Sequence, residues 1–202
     1  MALHQNNDDS PPRVIVEADP DKRAPEPLRL VQQFLNSAEP DEELDEMTTP
    51  AELHTWLSAR DMADEGAEIS EADLRRALDV REGLRAVLFT HNGGERDAGA
   101  IARLERAAGA AALRTSFPAD GDPGLVPARD GVNGALAGLL AIVAAASADG
   151  SWRRLKACAD AECRWAFYDH SRNRSGRWCS MATCGNQHKA RNFRERSKAA
   201  GV

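Results

Sequence analysis

Leu28, Leu30, Val31, Phe34 and Leu35 fall within one arc of a helical wheel, the spacing of an amphipathic helix. A charged loop over Glu39–Glu46 follows. The next helix is announced by its start signals: Thr49 as N-cap, Pro50 at the first helical position and Glu52 completing a capping box. Its apolar stripe is Leu53, Trp56 and Leu57. Ser70 and Asp73 repeat the cap pattern and open a longer helix to about Thr90, where Asn92-Gly93-Gly94 stops it. A further helix covers about 96–111. The period then changes. Leu113, Thr115 and Phe117 alternate with polar residues, a turn follows at Asp120–Gly124, and Leu125-Val126-Pro127 returns, which predicts a β-hairpin. Asp130 is placed to cap an Ala-rich helix ending near Ser147. Residues 1–26, with four prolines and many acids, read as a flexible tail in which any strand at Arg13–Glu17 is short.

Scarce aromatics (5%) and abundant alanine favour helix over sheet, so the fold class expected is mainly α. The net charge of -6 conceals a split. Residues 1–150 carry 14 basic against 28 acidic side chains, and residues 151–202 carry 12 against 4. Charge and residue chemistry change together near residue 150, which places the boundary between a helical domain (27–150) and a basic module (151–202) facing polyanions. The N-terminus lacks the apolar stretch of a secretory signal. Gly131–Ala148 is uncharged and long enough to invite a membrane reading, but it is mostly Ala and Gly and includes Asn133. A buried core helix fits it better. The expectation is a cytoplasmic protein without a membrane partner, in which cysteines stay reduced.

All four cysteines lie in the basic module: Cys158, Cys163, Cys179 and Cys184, a C-x4-C pair, fifteen intervening residues, and a second C-x4-C pair. Two close pairs at this separation match a four-thiolate zinc site, each pair a clamp and the spacer a hairpin that brings the clamps together. Trp165–Tyr168 and Arg177-Trp178 supply strand-like material for that hairpin. The competing readings are a disulfide pair, unrelated buried thiols or an iron–sulfur cluster, and the reduced compartment and paired spacing favour zinc. With four cysteines there is no open coordination position, so the ion is structural. So small a segment cannot bury a large core, and the metal supplies the missing stability.

Arg172, Arg174 and Arg177 fall in the loop between the clamps, and a helix over Gly185–Lys198 carries Lys189, Arg191, Arg194, Arg196 and Lys198. Cationic residues at a helix end need no special function. A dozen of them around a metal-stabilised helix point to nucleic-acid contact, with phosphates supplying most of the affinity. The segment from Cys158 to Arg196, with RWCSM at Arg177–Met181 and CGN at Cys184–Asn186, resembles the CGNR zinc-finger family. The stretches LRLVQQFLNS, TPAELHTWL and VREGLRAVLF resemble the helical ABATE domain that accompanies that finger, and the resemblance covers about residues 28–198. It implies a bacterial transcription regulator with four cysteine zinc ligands and a DNA-binding C-terminus. The family's namesake arginine is Gln187 in this chain, with His188 and Lys189 beside it as substitutes for a lost phosphate contact.

Arg81 and Arg85 lie in the middle of the apolar arc formed by Leu74, Leu78, Leu84, Leu88 and Phe89. Arginines in a core must be paired. One reading pairs or snorkels them, with Asp45 or Glu46 as candidate partners. The other makes them an anion site for a small effector, co-lined by Asn36 and Trp56, and turns the helical domain into a sensor. No catalytic constellation emerges: Asp169-His170-Ser171 has triad residue types, but neighbours on a strand alternate faces. The function read from the chain is transcriptional regulation through DNA. Its alternatives are RNA binding, with Trp165, Phe167, Tyr168 or Trp178 stacking on bases, and an adaptor whose basic finger docks an acidic partner.

Overall fold

A computed structural model describes residue 15 and residues 19–199, with the side chains of 192, 195 and 197–199 outside that description. The expected strand at Arg13–Glu17 and most of the expected tail therefore lie outside the described residues. The tail's last residues do not behave as a tail. A short 3-10 turn over Pro20–Lys22 leads into the buried Ala24, whose N–H donates to Gln32 Oε1 at 2.6 Å.

Helix α1 (Leu28–Leu35) buries Leu28, Val31, Phe34 and Leu35, the predicted arc. The charged loop that follows contains a minimal hairpin, β1 (Ala38–Glu39) against β2 (Leu44–Asp45), too short to leave a periodic signal. Helix α2 (Pro50–Ser58) and helix α3 (Glu71–His91) both start on complete capping boxes. Thr49 Oγ1 accepts from Glu52 N–H at 3.2 Å while Glu52 accepts from Thr49 N–H at 3.0 Å, and Ser70 and Asp73 repeat the exchange. Each pair satisfies two donors that a helix start leaves open.

Helix α3 is the hub and packs against α1, α2, α5 (Gly131–Ala148) and α4 (Ala98–Ala108). Its closest approach, to α4, requires Gly83, since a Cβ there would sit 2.4 Å from Leu104 Cβ. The expected hairpin forms, with β3 (Leu113–Ser116) antiparallel to β4 (Gly124–Pro127) and Thr115 opposite Leu125. Helix α5 is long and apolar enough by composition to cross a membrane, yet Val132, Ala135, Leu136 and Leu139 are buried in the shared core. Asp130 sits at its N-cap position but makes no side-chain cap bond.

Two short strands follow, β5 (Leu155–Ala157) antiparallel to β6 (Ala166–Tyr168), and then helix α6 (Asn186–Ala199). The hairpin differs from the expected one: β6 pairs with β5, before the first cysteine, and not with Arg177-Trp178. The hairpin is also not confined to the basic module. Trp152, Leu155, Ala157, Ala166 and Tyr168 belong to the same buried cluster as Phe34, Leu88 and Leu139.

Polar side chains of the helical bundle complete this joint by gripping the hairpin's backbone. Asn36 donates to Ala166 O at 2.9 Å and accepts from Ala166 N at 2.8 Å, and Gln32 donates to the same carbonyl at 3.1 Å. His91 Nδ1 donates to Leu155 O at 2.9 Å, while Asn92 Nδ2 donates to Ala157 O and Arg177 O, each at 2.8 Å. Burial lowers the pKa of His91, consistent with a neutral ring held by a carbonyl.

Candidate metal centre and polyanion-binding face

The β5–β6 turn carries Cys158 and Cys163. It is closed by Cys158 N–H donating to Trp165 O at 2.9 Å and Ala159 N–H to Arg177 O at 2.9 Å. Cys179 precedes, and Cys184 lies within, a wide π-turn (Met181–Gly185) that runs into α6, with Ser180 Oγ accepting from Thr183 N–H at 3.3 Å. One clamp is therefore a hairpin turn and the other a helix entry.

The four Sγ atoms all lie within 4.8 Å of one another and all four residues are buried. Cys163–Cys179 and Cys179–Cys184 are each 3.6 Å apart. Sulfurs about 2.3 Å from a central zinc ion define a tetrahedron with edges of about 3.8 Å, so the set fits a thiolate-coordinated ion. The donor chemistry agrees. Hydrogen bonds from Cys163 and Cys179 pull Cys158 far below the usual thiol range and push the two donors above it, and burial pushes Cys184 up. A divalent cation would displace the thiol protons and be held by four thiolates. Backbone N–H groups of Asp160 and Cys179 directed at Cys158, and of Trp165 at Cys163, orient the ligands as an outer shell does.

The loop between the clamps hangs from a buried ion pair. Lys156, 4% exposed, donates to Asp169 Oδ2 at 2.7 Å and to the carbonyls of Arg174 and Gly176 at 2.6 and 3.0 Å. Asp169 also accepts from Ser171 and Gly176 N–H at 3.0 and 2.8 Å. Residue 176 must be glycine, since a Cβ would lie 2.9 Å from the carboxylate. Burial works to raise the Asp169 pKa, but the hydrogen bonds from Lys156 and Ser171 prevail and hold it at about 2, against an ordinary 3.8. A carboxyl depressed on folding stabilises the fold above its unfolded pKa and loses that contribution as pH falls from about 4 to about 2. The shift corresponds to about 2 kcal/mol. The difference in urea midpoint between wild type and Asp169→Asn is expected to shrink across that window; a difference independent of pH contradicts the assignment.

The clamp presents Arg172, Arg174 and Arg177 as exposed side chains, and among the described residues none of the three faces a carboxylate. On α6, Lys189, Arg194 and Arg196 are exposed. One expected contact does not join this face: Arg191 pairs with the buried Asp160 and ties α6 to the first clamp. Lys156, one of the module's dozen cations, is internal. The Lys198 side chain lies outside the described residues. Gln187 is exposed, and beside it His188 stacks on Trp178 at 4.6 Å, which leaves Lys189 as the exposed neighbour. The aromatics available to stack on bases are fewer than expected, since Trp165, Phe167 and Tyr168 are all buried.

Of the two readings of the core arginines, the structure shows internal pairing, with Asp45 among the named partners, and the anion site does not assemble. Arg81 makes a bidentate pair with Asp45 at 2.7 and 2.6 Å, and its Nε donates to Glu82 at 2.8 Å. Arg85 donates to Glu82 Oε2 at 2.9 Å and to the carbonyls of Leu35 and Arg164. Asn36 is committed to Ala166, and Trp56 packs on Phe34 and under Arg60. Burial acts to raise the Glu82 pKa, but the two guanidiniums outweigh it and keep the carboxyl below its ordinary range. The partners of Arg81 and Arg85 are internal, and the core arginines are structural.

A family model for the ABATE domain, described as a "putative stress-induced transcription regulator", matches residues 28–150. The chain belongs to the ABATE family. A CGNR zinc-finger model matches residues 154–197 and so contains all four clustered cysteines. No curated protein matches the chain. The ABATE match ends and the finger match begins on either side of Trp152, yet the joint described above packs the two as one core.

Proposed function

We propose that this ABATE-family protein is a cytoplasmic transcription regulator that binds duplex DNA through its C-terminal finger. A single structural zinc ion is held by Cys158, Cys163, Cys179 and Cys184, and the helical domain senses a small anionic effector. The reading assigns no catalytic step. The observation that carries it is the Lys156–Asp169 clamp, which fixes Arg172, Arg174 and Arg177 on the same module as the exposed cations of α6. Preorganised cations bind phosphates without the ordering cost that a mobile loop incurs. Zinc is favoured among metals by an all-thiolate tetrahedral set in a family named for zinc.

The test is a salt series on the full-length, zinc-loaded protein with duplex DNA, since the finger's hairpin shares its core with the bundle. Affinity should fall with salt on a log–log slope of about -0.9 per phosphate contacted. Arg172→Gln with Arg174→Gln should flatten the slope by about 2 units without unfolding the protein. No binding at low salt would overturn the reading and leave the adaptor. Preference for single-stranded RNA would move it to the alternative, for which Trp178 is the one expected platform that is not fully buried.

A further inference from the structure

The loop from α3 to α4 and the first metal clamp enclose a cleft of about 550 Å³, which lies between the matched ABATE domain and the matched finger. That volume is within the range of metabolite-sized sites, roughly 300–1,000 Å³. Three arginines line it: Arg96 from the bundle, and Arg164 and Arg177 from the finger. Among the described residues none of the three has a carboxylate within ion-pair distance.

Glu95 and Asp97 also line the cleft, leaving a surplus of one positive charge, but Asp97 Oδ1 is occupied by the Ala100 N–H at 2.9 Å as the cap of α4. The positive end of that helix borders the same space.

The backbone at Arg164 sets the direction of its side chain. Its φ is +48°, in the left-handed region that glycine adopts freely and other residues rarely do. An arginine holds this conformation at a cost that glycine would not incur, and the turn fixes where its side chain leaves the backbone. That side chain lies over the Phe89 ring at 4.7 Å, with Nε donating to Ala161 O at 3.1 Å, and so stands on the cleft wall. The Arg177 carbonyl accepts from both Asn92 Nδ2 at the end of α3 and the Ala159 N–H of the clamp. A ligand held by Arg96 and Arg177 would therefore bridge the two matched segments directly.

We propose that this cleft binds a phosphate-bearing small molecule, gripped by Arg96, Arg164 and Arg177. The proposal rests on the sensing half of the regulator reading and is independent of the DNA half. Guanidinium forks match phosphate oxygens better than any other side chain. A duplex backbone offers the same chemistry, so the experiment separates the two sources.

Ribose 5-phosphate is titrated into the full-length, zinc-loaded protein by calorimetry at constant ionic strength, with ribose as the neutral control and no DNA present. Saturable binding is expected for the phosphorylated sugar alone, weakened about tenfold or more in Arg96→Gln and in Arg177→Gln, the scale of one charge-assisted hydrogen bond. Both side chains are exposed, so the variants should keep the wild-type thermal midpoint, and Arg96→Gln should bind duplex DNA as wild type does. No heat up to about 10 mM ligand, or equal binding of ribose, overturns the site. A parallel loss of DNA affinity in Arg96→Gln overturns the small-molecule assignment, because the cleft would then be part of the DNA surface. Phosphate binding with no DNA binding by any form would leave the site standing and remove the DNA half of the regulator reading.

Discussion

Stripping the metal from the full-length protein with a chelator is expected to lower the thermal midpoint of the helical bundle as well as to unfold the finger. Binding of a structural ion by four thiolates contributes on the order of 10–16 kcal/mol at neutral pH, and in a module this small that free energy is folding free energy. The loss would stop at the finger if the two modules were independent. They are not: Leu155, Ala157, Ala166 and Tyr168 are buried in the bundle's own cluster, and Cys158 and Cys163 close the turn of that hairpin. Losing the ion releases four buried sulfurs within 4.8 Å of one another and opens the strand pair next to α3. Near-ultraviolet dichroism should show one cooperative melt for the holoprotein and an earlier one for the stripped form. Cys179→Ser should behave like the stripped protein. A bundle transition that keeps its midpoint after the metal is removed would show that the joint is weaker than its contacts indicate.

Glu82→Ala is expected to destabilise the protein by about 2–4 kcal/mol, because it strands a buried guanidinium while Glu82 itself is 43% exposed. Glu82 is the carboxylate that Arg85 contacts, and Arg85 is only 2% exposed. Arg81 retains Asp45, so the damage centres on Arg85. For a chain of this length the thermal midpoint should fall by roughly 10 °C. The double variant Glu82→Leu with Arg85→Met tests the cause. Replacing both charges by apolar groups of similar size should recover much of the loss, because the penalty comes from an uncompensated charge and not from lost volume. If the double variant is as unstable as the single, the two carbonyl contacts of Arg85, to Leu35 and Arg164, hold the structure instead.

Local signals in the sequence translated well. Thr49-Pro50 with Glu52, and Ser70 with Asp73, place helix starts to the residue because the bonds that make a capping box span only three positions. The β3–β4 hairpin was legible because its turn residues and alternation are contiguous, and the cysteine cluster because its spacing is the geometry.

What the sequence did not disclose depends on partners far along the chain. Asp45 was a candidate partner of Arg81, but it lies 36 positions away, and nothing local distinguishes a paired arginine from one waiting for a ligand. Asn36, read as a ligand contact, clamps Ala166 across 130 positions. The partner of β6 was missed because Leu155–Ala157 is three residues long, too short for a period-2 pattern. Lys156 counts as surface charge in any composition, and only the fold reveals it as the buried tie beneath the arginine loop. The cleft around Arg96 and Arg164 gave no linear signal at all, since its walls come from separate stretches of chain.

The joint between bundle and finger has one further consequence. The hydrogen bonds of Gln32, Asn36, His91 and Asn92 across the joint all go to main-chain carbonyl or amide groups of the finger. Main-chain atoms are the same whatever residue carries them, so this attachment is indifferent to mutation on the finger's outer surface. Substitutions on that surface should therefore leave these hydrogen bonds intact.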